Sequence, residues 1–274
     1  MEKTVCITGC SSGIGRETAR QFREEEWTVY ATARDPGDIA DLAEIGCETA
    51  ELDVTNDVQI QSVIERIVEE TGRIDCLVNN AGYGQLGPVE DIPVREVERQ
   101  FDTNVYGPHR LVREVLPHMR ERGDGTIINV SSVAGRVAFP GGGVYCGSKA
   151  ALESMTDSLR VEASRFGVDV VLVEPGPVKT NFSNRATDSA NDIPRSSEYS
   201  DIYSVIDDTQ AIGGDGPGAI APMEVADWIV HAASATRPNA RYPVGKAAKF
   251  GSFARLLPDS LRDTAFKLAL KIMG

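Results

Sequence analysis

The sequence is poor in what a metal centre, a disulfide framework or a nucleic-acid surface would need. Five cysteines (Cys6, Cys10, Cys47, Cys76 and Cys146) are odd in number, scattered and without a CxxC pair, a pattern that predicts reduced thiols and no zinc site. Three histidines (His109, His118, His231) lack ligand spacing such as HExxH, so each is expected on the surface or in packing. Neither metal catalysis nor a Ser-His-Asp triad is indicated. Only seven of the 28 basic residues are lysines, and 41 acidic residues set the net charge at −13, against the basic footprint that nucleic acid requires. Acid excess with arginine favoured over lysine fits either a surface kept soluble in concentrated salt, as in a halophile, or an ordinary acidic protein. Apolar runs of 18 residues are absent, no secretory signal appears, and the opening MEKTVCITG already reads as a strand, so a cytoplasmic protein is expected.

What is present is ordinary in composition, with 41% hydrophobic and 25% charged residues over 274 positions. No repeat or low-complexity linker divides the chain, so residues 1–274 are expected to form one domain. Residues 3–8, KTVCIT, form a β-branched strand, and the turn GCSSGIG leads into the helical pattern RETARQFREEE. Strand, glycine turn and helix make a phosphate cradle. Backbone N–H groups at the helix start attract a pyrophosphate, and Gly9, Gly13 and Gly15 lack the Cβ atoms that would block close approach. Ser11, Ser12 and Ile14 complete this candidate cofactor contact. Twenty residues on, the second strand TVYATAR ends in Ala33 and Arg34 where NAD-binding folds often carry a carboxylate. A guanidinium there can bind a 2′-phosphate, which favours NADP(H) over NAD(H). Asp53, after the third strand ETAELDV, either meets an adenine amino group or caps the following helix. In IDCLVNNAG, Asn80, Ala81 and Gly82 offer small residues against a flat ring, or amides that fasten strand ends.

Further along, a long helical stretch from residue 90 to 123 is expected to break near Pro108 and carries Asn104 inside it. GTIINVSSVAG makes a fifth strand ending at Ser131 and Ser132. In GVYCGSKAAL, Tyr145 and Lys149 are four apart, so a helix sets a phenol and an ammonium on one face, a pair able to move protons near neutral pH. DVVLVEPGPVKT is a sixth strand whose tip, with Pro175, Gly176, Val178 and Thr180, turns to the same crevice. Residues 183–222, rich in Ser, Asp, Asn, Gly and Pro, read as a loop long enough to be a substrate lid or a disordered segment. NARYPVG looks like a last strand. The tail 246–274 holds six basic and two acidic residues, with Leu257, Leu261, Ala265, Leu268 and Ile272 on one stripe. It is expected to pack on its own body or a partner subunit, with attachment to a membrane surface as the alternative.

Strands alternating with helices imply an α/β doubly wound parallel sheet, with helices on both faces and ligands at the strand carboxyl ends. With TGCSSGIG (8–15), NNAG (79–82), Asn104, Ser132, Tyr145-x-x-x-Lys149 and PGPVKT (175–180) in that order, the chain resembles the short-chain dehydrogenase/reductase family. The likeness covers residues 3–180 by motif, and leans toward the 17β-hydroxysteroid, retinol and acyl-dihydroxyacetone-phosphate reductase branch. It implies a Rossmann-type fold and a hydride transfer between nicotinamide and a carbonyl or alcohol, here of an apolar substrate. It also implies Tyr145 as general acid/base, Ser132 on the substrate oxygen, Lys149 lowering the tyrosine pKa and holding the nicotinamide ribose, and Asn104 in a proton relay. A homodimer or homotetramer is expected by the same likeness. A non-catalytic NADP(H)-binding sensor, and an epimerase or dehydratase using the same pair, are the alternatives.

Overall fold

The computed structural model describes residues 2–208, 216, 218–255 and 257–273, without the side chains of residues 252, 272 and 273. Seven parallel strands form one sheet: β1 (Thr4–Ile7), β2 (Thr28–Ala33), β3 (Glu48–Glu51), β4 (Cys76–Asn79), β5 (Gly125–Val130), β6 (Val168–Pro175) and β7 (Arg241–Val244), in the order β3-β2-β1-β4-β5-β6-β7. All seven segments read as strands in the sequence are strands here. β1, β4 and β5 are buried along their whole length, as central parallel strands covered on both sides must be. β3 lies at an edge and exposes Glu48 and Glu51, charges that discourage pairing with a further strand.

Alternate strand residues feed two cores. On one face Val5, Ile7, Val29, Val78, Ile128 and Val171 pack under α1 (Gly13–Glu24), α2 (Ala40–Glu44) and α9 (Pro222–Ser234). On the other, Cys6, Tyr30, Leu77, Ile127 and Val170 meet α3 (Asp57–Thr71), α5 (Gly107–Arg122) and α6 (Gly143–Ser164). The chain is thus doubly wound. Because β1 pairs with both β2 and β4, the direction of winding reverses beside β1, and the carboxyl ends there open the crevice in which such folds bind ligands.

Three expectations need correction. The long helical stretch divides as α4 (Val94–Phe101) and α5, joined by a π turn at Asp102–Tyr106 that contains Asn104; Pro108 opens α5, where its missing N–H costs nothing. The segment expected as a loop holds two helices, α7 (Phe182–Asn191) and α8 (Ser200–Asp207). They share a small core of Leu86, Ala186, Ala190, Tyr203 and Ile206, too short a pattern to stand out in the sequence. Asp91 ties them down, accepting from Ser196 N at 3.0 Å and Tyr203 Oη at 2.7 Å. Residues 209–215 and 217 of the expected lid lie outside the described residues.

The third concerns one branch of the expectation for the tail, packing of its apolar stripe on the chain's own body. The tail forms α10 (Lys246–Ala254) and α11 (Asp259–Met273), but α11 turns Phe266 and Leu270 inward, while Leu257, Leu261, Ala265 and Leu268 are exposed. The stripe therefore does not pack on the chain's own body; Ile272 falls outside the described side chains. Among the described residues no helix is long and apolar enough to cross a membrane.

Candidate active site

Tyr145 and Lys149 lie on the inner face of α6 and are both buried. Gly142 lets the start of this helix sit close to the loop after β5, since a Cβ there would strike the Phe139 ring. That loop opens with Ser132, whose hydroxyl accepts from Ala134 N at 3.1 Å and also hydrogen-bonds Tyr145. Burial pushes the Tyr145 phenol up to about 12, with the Ser132 hydrogen bond opposing it. Lys149 is perturbed as well. Its own pKa is brought down to about 8 by burial, opposed by the Glu153 carboxylate, and its ammonium donates to the Val130 carbonyl at 2.9 Å. The reason is dielectric: both groups leave water, and each moves toward its neutral form. The sequence showed the shared face but not this depth.

Asn104 closes the far side. Its Nδ2 donates to the Tyr83 carbonyl at 2.9 Å and to Ser148 Oγ at 3.2 Å, its Oδ1 accepts from Tyr83 N at 3.2 Å, and Ser148 in turn donates to the Tyr145 carbonyl at 2.7 Å. The π turn supplies this aim, and Gly82 is what permits it, since a Cβ there would stand 3.1 Å from Asn104 Oδ1 and 3.8 Å from Lys149 Nζ. The Tyr145 ring packs against Phe182, centroids 5.4 Å apart, and with Phe139 and Ala134 forms an apolar wall.

The glycine turn sits across the crevice. Gly9 and Gly13 have φ of 74° and 58°, which L side chains rarely adopt, so the turn depends on them. Gly15 serves the protein itself: a Cβ would strike the Gly9 carbonyl and lie 2.5 Å from Asn80 Nδ2. Asn80 Nδ2 ties the turn to β4, donating to Thr8 O at 2.9 Å and Gly9 O at 3.1 Å, while Thr8 Oγ1 accepts from the Asn80 and Ala81 N–H groups, each at 3.0 Å. The fastening role allowed for these amides is the one observed. Ser12 is the N-cap of α1, yet its side chain makes no capping bond, and no acidic residue sits in that first turn. Ser11, Ser12, Gly13 and Ile14 are all partly exposed. The positive end of α1 is therefore open to an anion. Arg34, just past β2, is exposed and forms no ion pair among the described residues.

Asp53 follows β3 by two residues and does not cap α3. Its Oδ1 accepts from Thr55 N at 2.9 Å and Thr55 Oγ1 at 2.7 Å, while Asn56 caps the helix from the residue whose backbone turns into it. Pro175 ends β6, and Gly176 N bonds the Val244 carbonyl at 3.0 Å. Val178 bridges Ile220, and Thr180, whose Oγ1 accepts from Phe182 N at 3.2 Å, approaches Gly13 so closely that a Cβ there would meet its methyl at 2.9 Å. The candidate site residues thus lie at the carboxyl edge of the sheet, at the start of α1, on α6 or, for Asn104, in the π turn between α4 and α5.

Several participants were not singled out. Glu153, one turn beyond Lys149, is buried, accepts from Ser131 Oγ and Arg241 Nη1, each at 2.9 Å, and forms an ion pair with Arg136 at 3.1 Å. Glu174 shares both arginines. The i+4 spacing of Lys149 and Glu153 was visible in KAALE; the arginines, from distant parts of the chain, were not. All five cysteines are buried and free, all three histidines are exposed, and no cluster of three metal-ligating side chains occurs among the described residues.

Sequence comparison decides the family. A family model described as short chain dehydrogenase matches residues 3–191. The chain belongs to the short-chain dehydrogenase family. It is 34% identical over 267 residues to the uncharacterized oxidoreductase YbbO of Escherichia coli K12, covering 96% of this chain and 93% of the relative. It is 36% identical to human 17-beta-hydroxysteroid dehydrogenase type 1 (87% and 76% covered) and 36% identical to retinol dehydrogenase 8 of Bos taurus (87% and 80%). Among solved structures, a short-chain dehydrogenase from Streptomyces avermitilis aligns with TM-score 0.83 at 31% identity, over 100% of this chain and 98% of that one. ElxO with NADP bound aligns at 0.71 and 28% identity (88% and 96%). A Burkholderia phymatum short-chain dehydrogenase/reductase with NAD aligns at 0.78 and 25% (98% and 95%). This short-chain dehydrogenase is accordingly an oxidoreductase.

Proposed function

We propose that the protein is an NADP(H)-dependent oxidoreductase that interconverts a carbonyl and an alcohol on an apolar substrate, through Tyr145, Ser132, Lys149 and Asn104. The observation that carries this reading is the buried Tyr145 hydroxyl hydrogen-bonded to Ser132 from the loop after β5, one helical turn from Lys149. The crevice fits a dinucleotide: two glycines at positive φ, an open helix N-terminus without acidic residues, and Arg34 free to meet a 2′-phosphate. Gly9 to Gly15, Arg34, Asp53, Asn80 to Gly82 and Pro175 to Thr180 would border that ligand, and Lys149 would reach its ribose. When bound, the nicotinamide supplies or accepts the hydride.

The remaining chemistry falls to the chain's own groups. With its pKa near 12, Tyr145 holds its proton at neutral pH and can give it to a carbonyl oxygen that becomes an alkoxide. Ser132 directs a second donor at the same oxygen, and the wall of Phe139 and Phe182 excludes water and suits an apolar substrate. In the oxidative direction the phenol must lose its proton, and a protonated Lys149, one helical turn away, is a cation that would ease that loss; the pKa of about 8 leaves it largely charged at neutral pH. Tyr145→Phe tests the assignment. Turnover across a carbonyl panel should vanish while NADPH binding, measured by fluorescence titration, persists; retained turnover would refute the role.

A further inference from the structure

The exposed face of the tail is unexplained by the chemistry above. On α10, Phe250 and Phe253 are 76% and 70% exposed, beside exposed Lys246 and Lys249 and opposite the buried Ala248. Leu257, just before α11, and Leu261 and Leu268 on it are likewise exposed, at 49%, 57% and 59%. Lys267 and Lys271 fall along one flank of that stripe, away from the inward Phe266 and Leu270, by the 3.6-residue helical repeat.

We propose that this face of α10 and α11 is a peripheral docking surface for an anionic lipid bilayer. Two observations choose the occupant. The tail gathers six basic residues against two acidic ones in a chain whose net charge is −13, so its positive charge is concentrated where the apolar side chains are. An interfacial helix pair lowers such side chains to the level of the headgroup–acyl boundary and leaves the lysines among anionic headgroups. A second copy of the chain fits less well, because a two-fold interface sets this patch against itself and opposes lysines to lysines.

The position of the face also gives docking a consequence. α10 packs against the loop that begins at Ser132, with Gly251 lying on Val133, and its Ala247 methyl lies 3.2 Å from where a Cβ on Gly176 would stand. α11 packs against α8, part of the cover beside Tyr145. Docking would turn this rim of the crevice toward the bilayer. The surface claim itself is independent of the catalytic reading.

Flotation with 100-nm vesicles tests it, using phosphatidylcholine alone and an equimolar mixture with phosphatidylglycerol. The full chain should float with the anionic vesicles and much less with the neutral ones. Phe250→Ser with Phe253→Ser should reduce that binding at least about tenfold, since two large apolar groups no longer enter the interface. Lys267→Gln with Lys271→Gln should reduce it on anionic vesicles only. Both pairs are exposed, so circular dichroism and NADPH binding should match the wild type. Recovery of the wild type wholly in the soluble fraction with both vesicles overturns the proposal. So does light scattering that shows an oligomer converted to a monomer by the Phe250/Phe253 substitutions, which would assign the face to contact between copies.

Discussion

Replacing Lys149 by methionine should stabilise the protein in the absence of cofactor. The ammonium is buried beneath α6, and its fall from 10.5 to about 8 corresponds to a cost of about 3 kcal/mol for keeping it charged in the folded state. Methionine has a similar reach and no charge. Against that gain stands the hydrogen bond to the Val130 carbonyl, which contributes about 1 kcal/mol. The net at pH 7 is a stabilisation of about 2 kcal/mol, read as a higher urea midpoint at unchanged slope. The pH dependence fixes the cause. Below about 8 the lysine is protonated in both states and the full penalty applies. Between about 8 and 10.5 the unfolded chain binds the extra proton, so wild-type stability rises with pH. Lys149→Met lacks this component, and its advantage should shrink through that window and disappear above it. Turnover should be lost in the same variant, a trade of stability for function. A variant that is less stable at pH 7, with a difference from wild type that does not change up to pH 10, would refute the reasoning.

The other predictions use different parts of the crevice. Arg34→Ala should raise KM for NADPH and leave that for NADH nearly unchanged; an unaltered preference would remove the guanidinium argument. Gly15→Ala should cost about 1–3 kcal/mol, because its methyl must displace the Gly9 carbonyl or Asn80, whereas Gly147→Ala, on the open side of α6 with nothing within 4 Å, should stabilise by about 0.5–1 kcal/mol; equal urea midpoints for the two would contradict the contact geometry. Glu153→Gln removes the carboxylate that supports the charge on Lys149, so the activity lost as Lys149 deprotonates should disappear at lower pH than in the wild type. An unshifted pH–rate profile would reduce Glu153 to a structural role.

These predictions separate what the sequence made legible from what it did not. The strands were readable because a parallel sheet covered on both faces leaves short apolar β-branched runs, as in TVCI and CLVN, and turn residues close each run. The site was readable because the chemistry needs its groups at strand ends, and the carboxyl ends of one parallel sheet gather at one edge whatever the separation in sequence: Gly9, Arg34, Asn80 and Ser132 follow β1, β2, β4 and β5 directly. Periodicity placed Tyr145 and Lys149 on one face for the same kind of reason.

Burial was a different matter. A helical repeat reports direction and not depth, so the sequence showed a phenol and an ammonium on one face but not that burial shifts both groups toward their neutral forms. Asn104 shows the same limit on a smaller scale: its residue type hinted at a side-chain role, but the π turn that carries it and the close approach to Gly82 and Tyr83 were not visible in the local pattern. Glu153 joins the two. Its place one turn past Lys149 is local, while the Arg136 and Arg241 that pair with its carboxylate come from distant parts of the chain. The electrostatics of this site is therefore a property of the folded sheet edge. A change at Arg241, far from Lys149 in sequence, would act on that ammonium through the Glu153 carboxylate.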